Sequence, residues 1–159
     1  MHQAPRFWTA LLAMGLVVLQ TNVGVAPAYA SPARSPRVSV GEIGSPSNRS
    51  DAAHALRAAL VHEIAAMRNV ELSSSGNSRF VVRGSVTRLD NHRVEDGLVV
   101  QCEVSLVVAE SRNGSVRMML RGHADARGDN DRIRLEDAAL SAAVRGAVRP
   151  LAQSLSRIH

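Results

Sequence analysis

The sequence contains no lysine and only one cysteine, and both features limit what kind of protein it encodes. All 19 basic residues other than histidine are arginines, a bias that indicates a GC-rich, bacterial coding source. A single cysteine leaves an exported chain without an internal disulfide. This residue, Cys102, falls on the apolar face of a predicted strand, so we expect a buried thiol rather than a reactive nucleophile.

Aromatic residues are also scarce, at 3% of the chain, and Phe80 is the only one after residue 30. The formal net charge of +5 is modest, and acidic residues are interspersed among the arginines. Binding to nucleic acid needs a concentrated basic face, and binding to single strands also needs aromatic stacking partners. The composition therefore predicts no nucleic-acid partner.

No apolar run is long enough to span a bilayer comfortably. Residues 7–19 are apolar, but polar residues follow them, and then the small-x-small pattern Ala28-Tyr29-Ala30. We predict a secretory signal peptide over residues 1–30 that is cleaved after Ala30, with an uncleaved anchor as the alternative. Because no cysteine lies near this site, we predict a secreted or periplasmic protein that is not lipidated there. Its contact with the membrane would then be through the signal peptide alone, before cleavage.

Hydrophobic periodicity predicts one domain after the signal. Residues 31–36 are interpreted as a flexible Pro/Ser tether and residues 37–159 as a single α+β domain. The clearest strand is 98–109 (LVVQCEVSLVVA), where every second residue is apolar, and Asn113-Gly114 predicts that the chain then folds back. Similar alternation predicts further strands at 37–43, 70–72, 79–89 and 116–124.

Two segments have helical periodicity instead. One covers residues 51–68, and the other follows the polar segment 126–132, with Pro150 predicted to kink or restart it near Val148. Residues 90–97 are predicted to be a connection. The fold class is therefore α+β, with a four- to five-stranded, mostly antiparallel (mixed) sheet and two helices packed on one face, in the order β-α-(β)-β-β-β-α.

The sequence lacks the common motifs of catalysis and metal binding. It has no CxxC, HExxH, nucleophile elbow or Gly-rich phosphate loop. His54 and His62 lie about two helical turns apart, too far to share one metal. Asp125 and Glu136 have the spacing of the ends of a calcium loop, but Arg127 stands at a ligand position. We therefore predict no enzymatic activity, no cofactor and no metal site.

The outward face of the predicted sheet is the candidate interaction surface. Its apolar positions are Val81, Val99, Val107 and Ala109, which form an exposed patch if the helices cover only the other face. Alternatively, the tether, the loop at 73–78 or a helix on the second face lies over them. The first or the last strand also offers an edge for strand addition.

Residues 80–87 (FVVRGSVT), with the preceding strand and helix at 37–67, resemble small exported domains of the TolB amino-terminal, CsgG and LpoB type. In those families an apolar strand often enters a Gly-Ser-β-branched step. The resemblance implies a non-enzymatic envelope module that docks onto other proteins, and it carries over no catalytic residue. The families commonly have a lipidated cysteine, which this sequence lacks at the predicted cleavage site.

These observations favour a secreted or periplasmic protein that binds another envelope protein through its sheet, with self-association as a further expectation. The alternative is a small-ligand-binding protein or hydrolase with a cleft near the loops at 90–97 and 125–132. A binding cleft would need converging polar groups, whereas an interaction module would need an exposed apolar face or edge.

Overall fold

The computed structural model describes residues 35–44, 50–129 and 131–157, so the predicted signal peptide and its cleavage site lie outside the described residues. The elements are β1 (Arg37–Gly44), α1 (Ser50–Ala65), β2 (Glu71–Leu72), β3 (Phe80–Val94), β4 (Gly97–Glu110), β5 (Val116–Gly128), α2 (Arg132–Val148) and α3 (Leu151–Ser156). A single 3₁₀ turn, Ser75–Asn77, connects β2 to β3.

The strands form one mixed five-stranded sheet in the order β2-β1-β3-β4-β5. β1 is parallel to both β2 and β3, whereas β3, β4 and β5 are antiparallel neighbours. The predicted α+β class and mixed sheet are confirmed, and the short strand predicted at 70–72 is present as β2. β5 and the two-residue β2 are the edges of the sheet.

Strand β4 holds the sheet together because it pairs with β3 on one side and β5 on the other. Its alternate side chains are buried on one face, as the sequence predicts: Leu98, Val100, Cys102, Val104, Leu106 and Val108. Cys102 is a buried free thiol, as expected. Period-two burial along one strand therefore defines the inner face of the sheet.

Both long helices pack on that inner face. Gly84 of β3 faces Leu56 of α1, whose Cδ2 lies 3.7 Å from the position of an added Cβ. Gly122 of β5 lies directly beneath the backbone of α2 at Ala143, so only a residue without a side chain allows this approach. The opposite face of the sheet, which we call the outer face, receives neither helix.

The predicted connection at 90–97 is wrong for most of its length. β3 continues to Val94, the chain turns at residues 95–96, and Gly97 adopts a positive φ of 137°. Residues 90–93 are exposed, so no apolar alternation marks them, and their strand conformation comes from backbone pairing with β4. Side-chain periodicity reports burial and not backbone pairing.

The end of β5 also differs from the prediction, because its inward positions, Ala126 and Gly128, are too small to give a clear apolar alternation. The strand continues beyond residue 124 to Gly128, paired with Leu98, so the loop predicted at 126–132 shrinks to the residues just before α2. The restart caused by Pro150 is confirmed, since α2 ends at Val148 and α3 begins at Leu151. Helix α1 ends at Ala65, three residues before the predicted end.

Candidate interaction surface

The four predicted surface residues all lie on the outer face, but the sheet divides them into two places. Val81 pairs across the sheet with Ala109, and Val107 lies one alternation along β4 from Ala109. Val99 is eight residues from Val107 on the same strand, which corresponds to about 27 Å of extended chain. Val99 is flanked by His92 on β3 and Arg127 on β5 instead of by other apolar residues.

Met119 lies next to the residues around Val107, although it was not among the predicted surface residues. It pairs with Val107 across β4 and β5, and 64% of it is exposed. The signal for it was present in the period-two alternation of β5, which places Met118 inward and Met119 outward. We call Val81, Val107, Ala109 and Met119 the apolar patch.

The apolar patch is covered on its β1 side and open towards β5. Ser39 of β1 lies beside Val81 and is 2% exposed. Its hydroxyl is hydrogen-bonded at 2.8 Å to that of Ser78, which also contacts the Ser111 hydroxyl at 3.1 Å and donates to the carbonyl of Ser75. This serine network holds the 3₁₀ turn against the outer face, where Ala109 is only 2% exposed.

Two arginines without local acidic partners flank the apolar patch. Arg83 of β3 pairs with Val107, and Arg121 of β5 pairs with Ser105. In the described part of the chain, no ion pair or hydrogen bond involves either guanidinium group. The rim of the patch therefore carries uncompensated positive charge.

Other outward arginines are neutralised within the sheet. Arg88 contacts Asp90 at 2.7 Å, and Arg127 contacts Asp96 at 3.3 Å. Arg117 donates to Glu110 at 3.0 Å through Nε and also through Nη2, and this hydrogen bond lowers the pKa of the Glu110 carboxyl. The contrast between these paired arginines and the two beside the apolar patch makes the patch the distinctive part of the outer face.

A separate polar cleft of about 760 Å³ opens where β1 and β3 begin and β4 ends. It is lined by three arginines, three serines and one carboxylate from three segments: Arg37, Arg79, Arg112, Ser75, Ser78, Ser111 and Glu110. Arg37 donates to the side-chain oxygen of Asn77 at 2.8 Å. This cleft was not predictable from the sequence, because its arginines are far apart in the chain.

The reactive groups of the described residues are dispersed. Burial raises the pKa of the Cys102 thiol to about 11, which keeps it protonated and unreactive at neutral pH. His54 and His62 are exposed on α1. Across residues 35–44, 50–129 and 131–157, no three His, Cys, Asp or Glu side chains come together as a set of metal ligands. None of the helices described is both long and apolar enough to cross a membrane.

No protein-family model and no curated protein matches the chain. Solved structures do share the fold, and they are small bacterial proteins that include a lipoprotein. Protein XCC0632 from Xanthomonas campestris, of family DUF330, matches 80% of this chain and 91% of its own, with 11% identity and a TM-score of 0.59. Lipoprotein GNA1162 from Neisseria meningitidis matches 74% of this chain and 99% of its own, with 11% identity and a TM-score of 0.51.

PelC from Paraburkholderia phytofirmans, another solved structure with this fold, was solved as a dodecamer. It matches 74% of this chain and 89% of its own, with 20% identity and a TM-score of 0.56. At such identities the likeness shows the fold. These neighbours are of the small lipoprotein and envelope type. The three named structures are not TolB, CsgG or LpoB domains, so the resemblance of this sequence to those three families stays a prediction.

Proposed function

We propose that this chain is a non-enzymatic module of the bacterial envelope that assembles with copies of itself through the outer face of its sheet. The observation that carries the proposal is the apolar patch, in which Met119 is 64% exposed beside Val107 on a face that neither α1 nor α2 covers. Exposed apolar side chains rimmed by polar groups are typical of protein–protein contacts. The same fold in a dodecameric PelC and in a Neisseria lipoprotein supports both the assembly and the envelope location.

Light scattering coupled to size-exclusion chromatography tests the assembly. The full chain should be expressed with its own amino-terminal segment and purified as the host processes it. We expect a species larger than a monomer whose mass falls on dilution. A strict monomer at every concentration would overturn self-association, and a different envelope protein would then be the remaining partner for the patch.

A pair of matched substitutions tests the surface. Val107→Arg places a charge inside the apolar patch and should abolish the larger species. Val99→Arg makes the same change on the same face of β4, about 27 Å away, and should leave the assembly intact. Circular dichroism of both variants checks that each is folded. An unchanged mass for Val107→Arg would remove the apolar patch from the proposal.

Export with cleavage after Ala30 is part of the same proposal. The mass of the purified chain should then correspond to a protein that begins at Ser31 and carries no lipid. A mass that retains residues 1–30 would support the uncleaved anchor instead. A mass increase of the size of acyl chains would contradict the prediction that the chain is not lipidated.

A second candidate function, the binding of a small anionic ligand, rests on the polar cleft. Arg37, Arg79 and Arg112 converge there, and guanidinium groups bind phosphate and carboxylate oxygens well. The cleft lies at the opposite end of the sheet from the one expected at 90–97 and 125–132. Titration with inorganic phosphate should give saturable binding that weakens in Arg112→Gln, whereas equal binding by both proteins would remove this candidate.

A further inference from the structure

The charge around the apolar patch determines what kind of surface it can meet. If two copies met patch to patch about a two-fold axis, Arg83 and Arg121 of each copy would be brought together. Neither arginine has an acidic partner among the described residues, so such a contact would place like charges face to face. The complementary surface should therefore be apolar in the middle and acidic at its rim.

One groove of the described structure has this composition. It lies where α1 and α2 begin and has a volume of about 380 Å³. Its walls are small or aliphatic side chains, Ala52, Ala55, Leu89 and Leu140. Ile133 extends the apolar wall at its edge and is 69% exposed. We call this the helix groove.

The rim of the helix groove is acidic. Asp51, Glu136 and Asp137 contribute three carboxylates, against one guanidinium from Arg132. Arg132 lies 3.5 Å from Glu136, and the carboxylates of the rim outnumber its guanidinium group by three to one. Asp137 is exposed and makes no hydrogen bond or ion pair with the residues that the structure describes.

The side chain at the open edge of the apolar patch suits an irregular apolar groove. Met119 is long and unbranched, and it protrudes from the outer face next to Arg121 on β5. An unbranched side chain of this kind fits irregular apolar gaps, and the helix groove offers one between short alanine side chains. The patch is on the outer face and the groove is on the helix side, so the contact of one surface leaves the other accessible among the residues that the structure describes.

We propose that the apolar patch of one copy docks into the helix groove of the next, with Met119 inserted between α1 and α2 and Arg121 facing Asp137. This inference rests on the self-assembly proposed above and names its interface. The contact is head-to-tail, so each copy uses two different surfaces, and repetition closes into a ring if the rotation between copies allows it. The occupant of the helix groove is therefore a second copy of this chain.

Charge reversal on each surface tests the pairing. Arg121→Glu and Asp137→Arg should each weaken assembly at least about tenfold in the concentration at its midpoint, because each brings like charges together. An equimolar mixture of the two variants should recover the wild-type mass, because the reversed surfaces match each other and the unchanged surfaces still match. Neither residue has an intramolecular partner in the described structure, so the folded monomer loses no ion pair.

Matched controls use the same charge changes elsewhere. Arg68→Glu is the control for Arg121→Glu, and Glu95→Arg is the control for Asp137→Arg. Arg68 lies just after α1 and Glu95 at the tip of the β3–β4 hairpin, and both side chains are exposed and outside the patch and the groove. Both controls should assemble as the wild type does. Equal loss of assembly in the controls would indicate a general effect of net charge and would overturn the pairing.

Cross-linking gives a second measurement that does not depend on weakened assembly. A Met119→Cys chain mixed with an Ile133→Cys chain should form a disulfide-linked dimer on mild oxidation, while the buried Cys102 stays unreacted. Met119→Cys alone should form little linked dimer, since patches do not face each other.

The outcomes separate this inference from the proposed function. Suppose that the wild type assembles, that Asp137→Arg leaves its mass unchanged and that Met119→Cys cross-links on its own. The interface is then patch to patch, which overturns the head-to-tail inference and leaves self-assembly in place. If the mixture fails to recover assembly although both variants are folded, the pairing of Arg121 with Asp137 is wrong. A monomeric wild type overturns both proposals.

Discussion

Replacing Gly122 by alanine should destabilise the protein, because α2 lies directly on β5 at this position. A Cβ at residue 122 would overlap the carbonyl oxygen of Ala143 and lie 2.9 Å from the Cβ of Ala147. A helix backbone cannot avoid this overlap by changing a rotamer, so α2 must move away from the sheet. Overpacking of a core lowers the free energy of unfolding by about 1–3 kcal/mol, and rigid backbone neighbours favour the upper end of that range.

Gly146→Ala provides the matched control, because residue 146 belongs to α2, the helix that Gly122 contacts. Residue 146 is exposed, and an added Cβ meets no atom within 4 Å in the described structure. Glycine inside a helix is less favourable than alanine by about 1 kcal/mol, so this variant should be more stable than the wild type. The same glycine-to-alanine change is thus expected to lower the stability at residue 122, which packs against α2, and to raise it at residue 146, which is exposed.

Urea denaturation followed by far-ultraviolet circular dichroism measures both effects. Fluorescence is unsuitable because Phe80 is the only aromatic residue after residue 30. In a thermal scan, each kcal/mol of change in the free energy of unfolding should shift the melting temperature by roughly 4 °C in a domain of this size. A Gly122→Ala protein as stable as the wild type would refute the close packing of α2 on β5, and a Gly146→Ala protein that loses stability would refute the exposure argument.

Three further predictions concern single side chains. Because burial raises the pKa of Cys102 to about 11, its thiol should not react with a disulfide reagent at neutral pH until urea unfolds the chain. Glu110→Gln should lower the melting temperature at neutral pH. The difference should disappear in acid, because the pKa of Glu110 is lowered by Arg117 and this stabilisation is lost as the pH falls below the ordinary value of 4.5. Asp131→Ala should lower the free energy of unfolding by about 1 kcal/mol, because the Asp131 side chain accepts a hydrogen bond from the Arg134 N–H at the start of α2. A loss well below this value in urea denaturation would contradict the capping role of Asp131.

The elements that bury one face were predictable from the sequence, and those that do not were missed. Every second residue of β4 from Leu98 to Val108 is apolar and buried, and the position of β4 in the middle of the antiparallel part of the sheet matches that pattern. The end of β3 carries mostly exposed side chains, and the inward positions at the end of β5 are the small residues Ala126 and Gly128, so the pairing of both ends with β4 left little periodic signal. Backbone hydrogen bonds between strands extend a sheet beyond the region that its core covers.

The candidate surface was predicted in part. The outward direction of Val81, Val99, Val107 and Ala109 follows from alternation alone. Their grouping follows from the register of β4 with β3 and β5, which places Val81 beside Ala109 and Met119 beside Val107. A different register would have placed another outward residue of β5 beside Val107, so the set of side chains that meet in the apolar patch depends on pairing that no single strand encodes.

The sequence by itself determined the periodicity of burial, because side chains two apart on a strand or three to four apart on a helix share a face wherever that element lies. It thereby determined the α+β class, the inner face of the sheet and the burial of Cys102. Only the tertiary structure decided which outward residues meet, because strand register and helix placement are set by contacts between distant segments. The apolar patch, the helix groove and the arginine-lined cleft all combine residues from separate elements, and each exists only once the sheet has formed.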